Sequence, residues 1–467
     1  MEVVFLFTVG ELQEILAVAL QEGGDFADVF TEEKVSNSVV CEDDLIERVN
    51  SGLEAGVGIR VLSGQSTAYV YTNDLNLSAV KKAAHVASKA ASDKVKGTTV
   101  VDLCRQKPRT VFEILRQPED VPIDEKVEAV IKGNRSARAL DERIAQVMVS
   151  YGDVVQRIQV ANSMGDLVED ERVRTRFVVH VVAQEGSLIQ TGYEAIGGLT
   201  GFELVRGDEP ERLAEIAARQ ALLMLGAKPA PSGRMPVVMA AEAGGTMVHE
   251  ACGHGLEADL VQKDLSVYTG KLKERVAAEI VTIIDDGTLP NKYGSFSFDD
   301  EGTPSGRNVL IKDGILTSYM YDRLSARQDG HPLTGNGRRQ SFAHRPIPRM
   351  TNTYIAPGNT DPGEIIAQTK KGLLVKKMGG GQVNPTTGDF VFDVSEAYLI
   401  ENGRITIPVR GATLTGNGPE ALREIELVGS DLGFAIGTCG KEGQGVPVSD
   451  AQPTILIKQL IVGGTGQ

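Results

Sequence analysis

The segment His249-Glu250-Ala251-Cys252-Gly253-His254 carries the residue types best suited to chemistry. A hydrolytic metal centre needs neutral imidazoles to hold the ion, an open position for water, and a carboxylate to take that water's proton. His249 beside Glu250 supplies a first ligand and a base together, as in the H-E-x-x-H motif. The second histidine comes one residue later than in that motif. Around a regular α-helix, side chains at i and i+4 lie about 40° apart, and those at i and i+5 about 140° apart. A straight helix therefore aims His254 away from the metal. A π-bulge would widen the turn; alternatively the helix ends at Gly253 or Gly255 and swings His254 back. The bland alternative is a glycine-rich helix end whose histidines only cap and pack. The chain has six histidines, and placing two of them this close beside a glutamate favours the metal.

A third ligand is required. Glu257 follows His254 by three residues and could share its face, whereas Cys439, in Gly437-Thr438-Cys439-Gly440-Lys441, could approach as a thiolate. Proximity alone slightly favours Glu257. Cys252 reads as a small core residue.

The elements around this segment place it. It grows from a buried strand, Pro236–Ala240, turns at Gly244-Gly245, and enters a short helix with Thr246 as a competent N-cap. The run Lys228-Pro229-Ala230-Pro231-Ser232-Gly233 is the clearest boundary in the chain. It separates an N-terminal domain, residues 1–228, from a C-terminal, mostly-β domain, residues 234–467. Helices are expected over 11–23, 78–95, 123–147 and 209–226, and His85 reads as a plain residue of the second. Between the first two, four alternating segments read as an antiparallel meander. Residues 97–122 read as an irregular linker, and strands are expected near 154–161 and 171–183. Asp313-Gly314 and Asn402-Gly403 each sit between alternating apolar runs as hairpin turns. The fold class is α+β, with mixed and largely antiparallel sheets and few helices.

Composition narrows the function. A length of 467 residues suggests two or three packed units. The net charge of −15 repels phosphates, which argues against a nucleic-acid partner. Four scattered cysteines without C-x-x-C suit a reducing compartment. The N-terminal run Val-Val-Phe-Leu-Phe lacks a basic flank, so no signal peptide is expected. No apolar stretch reaches the roughly 20 residues of a membrane span. A cytoplasmic protein is the expectation. Arg338, Arg339, Arg345 and Arg349 could hold a substrate carboxylate or an oxyanion, or instead pair with Asp299, Asp300 and Glu301. Gly379-Gly380-Gly381 lacks the ending of a P-loop, and Gly380 fits better as backbone beside a peptide cleft. The many strands offer edges to which an extended peptide could add.

Longer strings carry a resemblance. HEACGHGLEADL (249–260), DDEGTP (299–304), YMYDRLSA (319–326), TGNGRRQSFAHRPIPRMTNTY (334–354), GDFVFDVSEAYLIENG (388–403) and GTCGKEGQG (437–445), with VNSGLEAGVGIRVLSG (49–64), resemble the TldD branch of the TldD/PmbA family, once called modulators of DNA gyrase. The resemblance implies a two-part fold and a metallopeptidase whose zinc (Zn2+) is bound by His249, His254 and Cys439, with Glu250 as general base. Glu257 then drops to a supporting position. The sister TldE or PmbA branch lacks the HExxxH that this chain keeps. The resemblance also implies a dimer, with a TldE/PmbA-like subunit as the expected partner. Flexible peptides are the implied substrates, in maturation of modified peptides or degradation of small unstable proteins. Two rivals stand beside it: a non-enzymatic regulator of a topoisomerase or DNA-associated partner, and a thiol redox protein using Cys252 and Cys439.

Overall fold

The computed structural model describes residues 6–91, 99–464 and 466. The start of the N-terminal apolar run, the tail of the helix expected over 78–95 and the first residues of the expected linker lie outside them.

The first sheet is built on very long strands. β1 (Phe26–Glu42), β2 (Leu45–Ser63), β3 (Ser66–Thr72), β4 (Ile144–Asn162) and β5 (Asp166–Glu185) lie in the order β3-β2-β1-β4-β5. β6 (Leu188–Gly198) and the short Cys104–Arg105 strand both pair with β5. The second and third segments of the expected meander are one continuous strand, β2. Pairing with β1 continues straight through Ser51-Gly52, opposite Asn37 and Ser36, so no turn forms there.

Helices cover the two ends of this sheet. Val9–Ala19 opens on a capping box in which the Thr8 hydroxyl accepts from the Glu11 N–H and the Glu11 carboxylate accepts from Thr8. Its buried face, Leu12, Ile15 and Leu16, packs with Leu77–Ala90 on Val29, Ile59 and Val61. At the other end, Ile123–Arg138 and Glu209–Leu225 cover Val149, Phe177 and Val179. The third helix stops well short of the expected residue 147, because Ile144 already begins β4.

The C-terminal half holds two main sheets, of eight and six strands among the described residues. In one, Gly233–Met239 lies between Lys371–Val383, parallel to it, and Ile455–Gly463, antiparallel to it. Lys371–Val383 also pairs with Asp389–Glu401, which closes this sheet on itself. In the other, Asn352–Ile355 runs parallel to Gln444–Gln452, whose hairpin partner is Gly433–Lys441. Both expected hairpin turns form: Asp313, Gly314, Asn402 and Gly403 all take positive φ, as a two-residue primed turn needs. The architecture is α+β with mostly antiparallel sheets.

Buried ion pairs join the first sheet to the rest. Arg172 of β5 meets Asp300 at 2.6 Å and donates to the Phe298 carbonyl at 2.6 Å. Arg174 donates to the carbonyls of Tyr293 and Ser295. Arg60 of β2 bridges Asp28 and Glu301, all three almost fully buried.

Candidate metal centre

The strand Gly233–Met239 is buried through Val237, Val238 and Met239, and it delivers the chain to a sharp turn. Gly244 takes φ +68°. A Cβ on Gly245 would lie 2.1 Å from the Ala451 nitrogen, so only glycine lets the helix start this close to the Gln444–Gln452 strand. The cap differs from expectation: Gly245 occupies the N-cap position, Thr246 is already helical, and no side chain caps this end.

The helical segment changes pitch at the motif. One α-turn, Thr246–Val248, leads into a π-turn over His249–Gly253 and a 3-10 turn over His254–Leu256. The His254 N–H reaches the His249 carbonyl, five residues back. This widened turn brings both imidazoles to one side, with ring centroids 5.1 Å apart and planes at 86°. Of the two remedies open from spacing, the π-bulge is the one used. Gly253 keeps a right-handed φ of −52° and does not end the helix by reversing it. It is required for space: a Cβ there would sit 2.1 Å from the Met350 sulfur. Gly255 likewise lies against the Tyr268 ring.

Cys439 arrives from the Gly433–Lys441 strand. Its Sγ is 3.4 Å from His254 Nε2, and one donor atom each from His249, His254 and Cys439 lie within 4.8 Å of one another. The other ring nitrogens are occupied: His249 Nδ1 meets Asp450 Oδ1 at 2.7 Å, and His254 Nδ1 meets Glu257 Oε2 at 3.1 Å. Glu257 therefore lies behind the His254 ring, on the side away from Cys439. Cys252, buried, turns its thiol to the Val248 carbonyl.

The charges are strongly coupled. Burial works against protonated imidazoles, yet Asp450 and Cys439 raise His249 well above the usual range. Burial likewise opposes charge on His254, but Glu257 and Cys439 push it up to about 9. Burial disfavours the Cys439 thiolate, and hydrogen bonds from both histidines overcome it, lowering the thiol to about 5. Glu257 is drawn down to about 2 despite complete burial, because Lys441, His254 and Arg349 face it. Burial raises the Glu250 carboxyl, and the two histidines only partly offset this. Glu250, His249, His254 and Cys439 open on a cleft of 450 Å³ whose other wall includes Gly381, Gln382 and Val383.

Of the two readings open for the arginines, the structure matches the one in which they are held by local partners. Arg338, Arg339 and Arg349 are buried and none lines the cleft, so the expected grip on a substrate carboxylate is corrected to an internal one. Arg349 donates to the carbonyls of Cys439 and Gln444. Arg338 donates to those of Met350 and Pro447. Arg339 bonds the Asp300 carbonyl and donates its amide to the Asp300 carboxylate, matching the alternative of local acid partners. Arg345 pairs with Glu442. Gly380 is exposed, next to the lining Gly381. His331 stacks on Tyr321 and His344 meets Ser341, both outside the cluster. Sequence reasoning missed Asp450, for which no local signal exists because only strand register brings it to His249.

Family models for PmbA/TldA metallopeptidase domain 1, the central domain and the C-terminal domain match residues 27–91, 116–225 and 232–464. A metalloprotease TldD homolog of Haemophilus influenzae is 42% identical over 450 residues, covering 94% of this chain and 93% of that protein. The chain belongs to the PmbA/TldD family. A metalloprotease of Methanothermobacter thermautotrophicus is 36% identical across 96% of this PmbA/TldD chain and 97% of its own length. A solved structure from Thermotoga maritima, described as a candidate modulator of a DNA gyrase, superposes with a TM-score of 0.80 at 25% identity, covering 98% of this chain and 100% of that one. TldE from Thermococcus kodakarensis superposes at 0.77 and 21% identity over 97% and 100% of the two chains, a likeness of fold alone. The curated relatives are named metalloproteases, one of them from Saccharolobus solfataricus a zinc metalloprotease, which supports a metallopeptidase class for this PmbA/TldD member.

Proposed function

We propose that this chain is a zinc-dependent peptidase of the HExxxH type, with His249, His254 and Cys439 as ligands and Glu250 as general base. The observation that carries the reading is the convergence of two imidazoles and a thiol beside a carboxylate in an open cleft. The donor set fits the ion. Bond lengths of about 2.0–2.3 Å in a tetrahedron put neighbouring nitrogen and sulfur donors about 3.4–3.6 Å apart, and Cys439 Sγ lies 3.4 Å from His254 Nε2. A thiolate ligand also favours zinc over harder cations.

Bound zinc supplies a water of lowered pKa and a Lewis acid for the peptide carbonyl. Glu250 takes the proton of the attacking water and returns it to the leaving amine, and a carboxyl raised by burial suits both steps. Asp450 and Glu257 keep each Nδ1 engaged, which leaves Nε2 of each imidazole for the ion. The Cys439 thiolate reduces the net positive charge of the centre, so the water's pKa falls less than with three neutral ligands.

The substrate class in this proposal is a flexible or unfolded peptide. Past Val375, one edge of the Lys371–Val383 strand has no partner strand among the described residues, and its Gly381–Val383 end lines the cleft. An extended peptide can add there through backbone hydrogen bonds. The same proposal includes a cytoplasmic location, a dimer with a TldE/PmbA-like subunit, and a division into residues 1–228 and 234–467. Among the described residues no helix is long and apolar enough to cross a membrane.

Metal analysis with a Glu250→Gln variant tests the mechanism. The variant should keep one zinc per chain and cleave an unstructured peptide about 10²- to 10⁴-fold more slowly. Undiminished cleavage would remove Glu250 from the mechanism. Zinc retained at full stoichiometry in Cys439→Ala would remove Cys439 from the ligand set.

A further inference from the structure

The π-turn brings the two imidazoles together, but their orientation comes from elsewhere. Each Nδ1 rests on a carboxylate, and both contacts lead to the hairpin formed by Gly433–Lys441 and Gln444–Gln452. Asp450, on the second strand, bonds His249 directly at 2.7 Å. Lys441, on the first, lies 3.1 Å from Glu257 Oε2, the same oxygen that meets His254 Nδ1 at 3.1 Å. The hairpin that brings Cys439 thus also sets both histidines.

Lys441 stands two residues after Cys439. Side chains at that spacing leave the same face of a strand, so the thiol and the ammonium enter the centre side by side. Lys441 Nζ also bonds Asp259 at 2.6 Å and the Pro348 carbonyl at 3.1 Å. These acceptors match the three donors of an ammonium. Its side chain is only 6% exposed, and that of Glu257 is fully buried. A buried ammonium is tolerable only with its acceptors in place. The hairpin and the His254 ring are therefore tied together through the Glu257 carboxylate.

We infer that Lys441 and Asp450 are positioning residues of the metal centre. Through them, the hairpin that supplies the thiolate also fixes the tautomer and ring orientation of both histidine ligands. This inference rests on the proposed zinc site. A carboxylate behind a ligating imidazole fixes which nitrogen faces the metal, and its loss typically weakens metal binding about 10- to 100-fold. Asp450 acts on His249 directly, whereas Lys441 acts on His254 only through Glu257.

The test uses the full chain. Zinc affinity is measured by chelator competition, and cobalt is substituted to read the thiolate-to-metal charge-transfer band and the ligand-field bands. Asp450→Asn and Lys441→Met should each bind zinc about 10- to 100-fold more weakly, with the charge-transfer band retained and the ligand-field bands altered. Because Lys441 acts through Glu257, the double variant Glu257→Gln/Lys441→Met should bind no more weakly than Glu257→Gln alone. A purely structural lysine would move melting temperature without this lack of additivity. Asp450→Asn preserves shape, so it decides the matter if Lys441→Met folds poorly. Wild-type protein with a Cys439-dependent cobalt band, and variants within twofold of it in affinity, would overturn the inference and leave the zinc site standing. Absence of that band from the wild type would overturn both.

Discussion

At the scale of single residues, the centre is a cluster of groups that change one another's charge. Metal binding must displace protons from ligands that are protonated in the metal-free protein. Both imidazoles are raised, His254 to about 9, so in the proposed centre an incoming zinc ion would have to displace protons from them at neutral pH. The sign follows directly. Affinity for zinc should fall as pH drops below about 9, by up to about tenfold per unit for each proton displaced. Cys439, lowered to about 5, remains a thiolate across neutral pH and competes with a proton only below that value. Chelator competition between pH 6 and pH 9.5 checks this. A flat profile would mean that the imidazoles are already neutral. In the proposed mechanism Glu250 adds an acid limb to activity: burial raises its carboxyl, so cleavage should decline at a pH higher than an exposed glutamate would give.

At the scale of elements, the centre depends on how closely a helix can approach a hairpin. Gly245 sets that approach, since a Cβ would meet the Ala451 nitrogen at 2.1 Å and the Asp450 backbone at 2.5 Å. Those contacts are with backbone of a paired strand, which cannot rotate aside as a side chain can. Gly245→Ala should cost about 1–3 kcal/mol through overpacking and should also weaken zinc binding by pushing His249 away from Asp450. Chemical denaturation and chelator competition on the same variant separate the two effects. An unchanged zinc affinity would show that the helix and hairpin shift together. Gly253→Ala is expected to be milder, because the Met350 sulfur it meets lies on a flexible, though buried, side chain.

At the scale of the molecule, β5 is fastened to the C-terminal half by buried arginines. Arg172 is 6% and Asp300 5% exposed at their side chains, and the Asp300 carboxyl is held below its usual value, against burial, by Arg172 and Arg339. Removing one partner of such a pair leaves a buried charge uncompensated, so Arg172→Met should cost about 3–5 kcal/mol. The measurement is the unfolding free energy in denaturant. A change under about 0.5 kcal/mol would mean that Arg339 alone satisfies Asp300. The charge of Asp300 is lost as pH falls, so the stabilisation is present at neutral pH and disappears in acid.

Local chemistry and periodicity made much of this legible in the sequence. The hairpin turns at Asp313-Gly314 and Asn402-Gly403 followed from residues that tolerate positive φ, and the helix at Glu209–Leu225 from its apolar period. The proximity of His249, Glu250 and His254 could be read from six residues. Spacing also showed that a regular helix would not serve, because the angle between i and i+5 is a property of the α-helix itself. The choice between a π-turn and a broken helix belonged to the tertiary structure, since the space beside Gly253 is defined by Met350 from a distant segment. Spacing alone leaned toward Glu257 as the third ligand and the family resemblance toward Cys439; the fold sets the Cys439 thiol 3.4 Å from His254 Nε2 and Glu257 against His254 Nδ1. Asp450 lay beyond reach of any local reading: 201 residues separate it from His249, and only the register of the Gln444–Gln452 strand brings them to 2.7 Å. The sequence by itself determined which groups were available for metal chemistry, and tertiary structure decided which nitrogen of each ring is engaged by a carboxylate and which far thiol joins the cluster. Long-range packing makes that decision because it sets distances that no local propensity encodes.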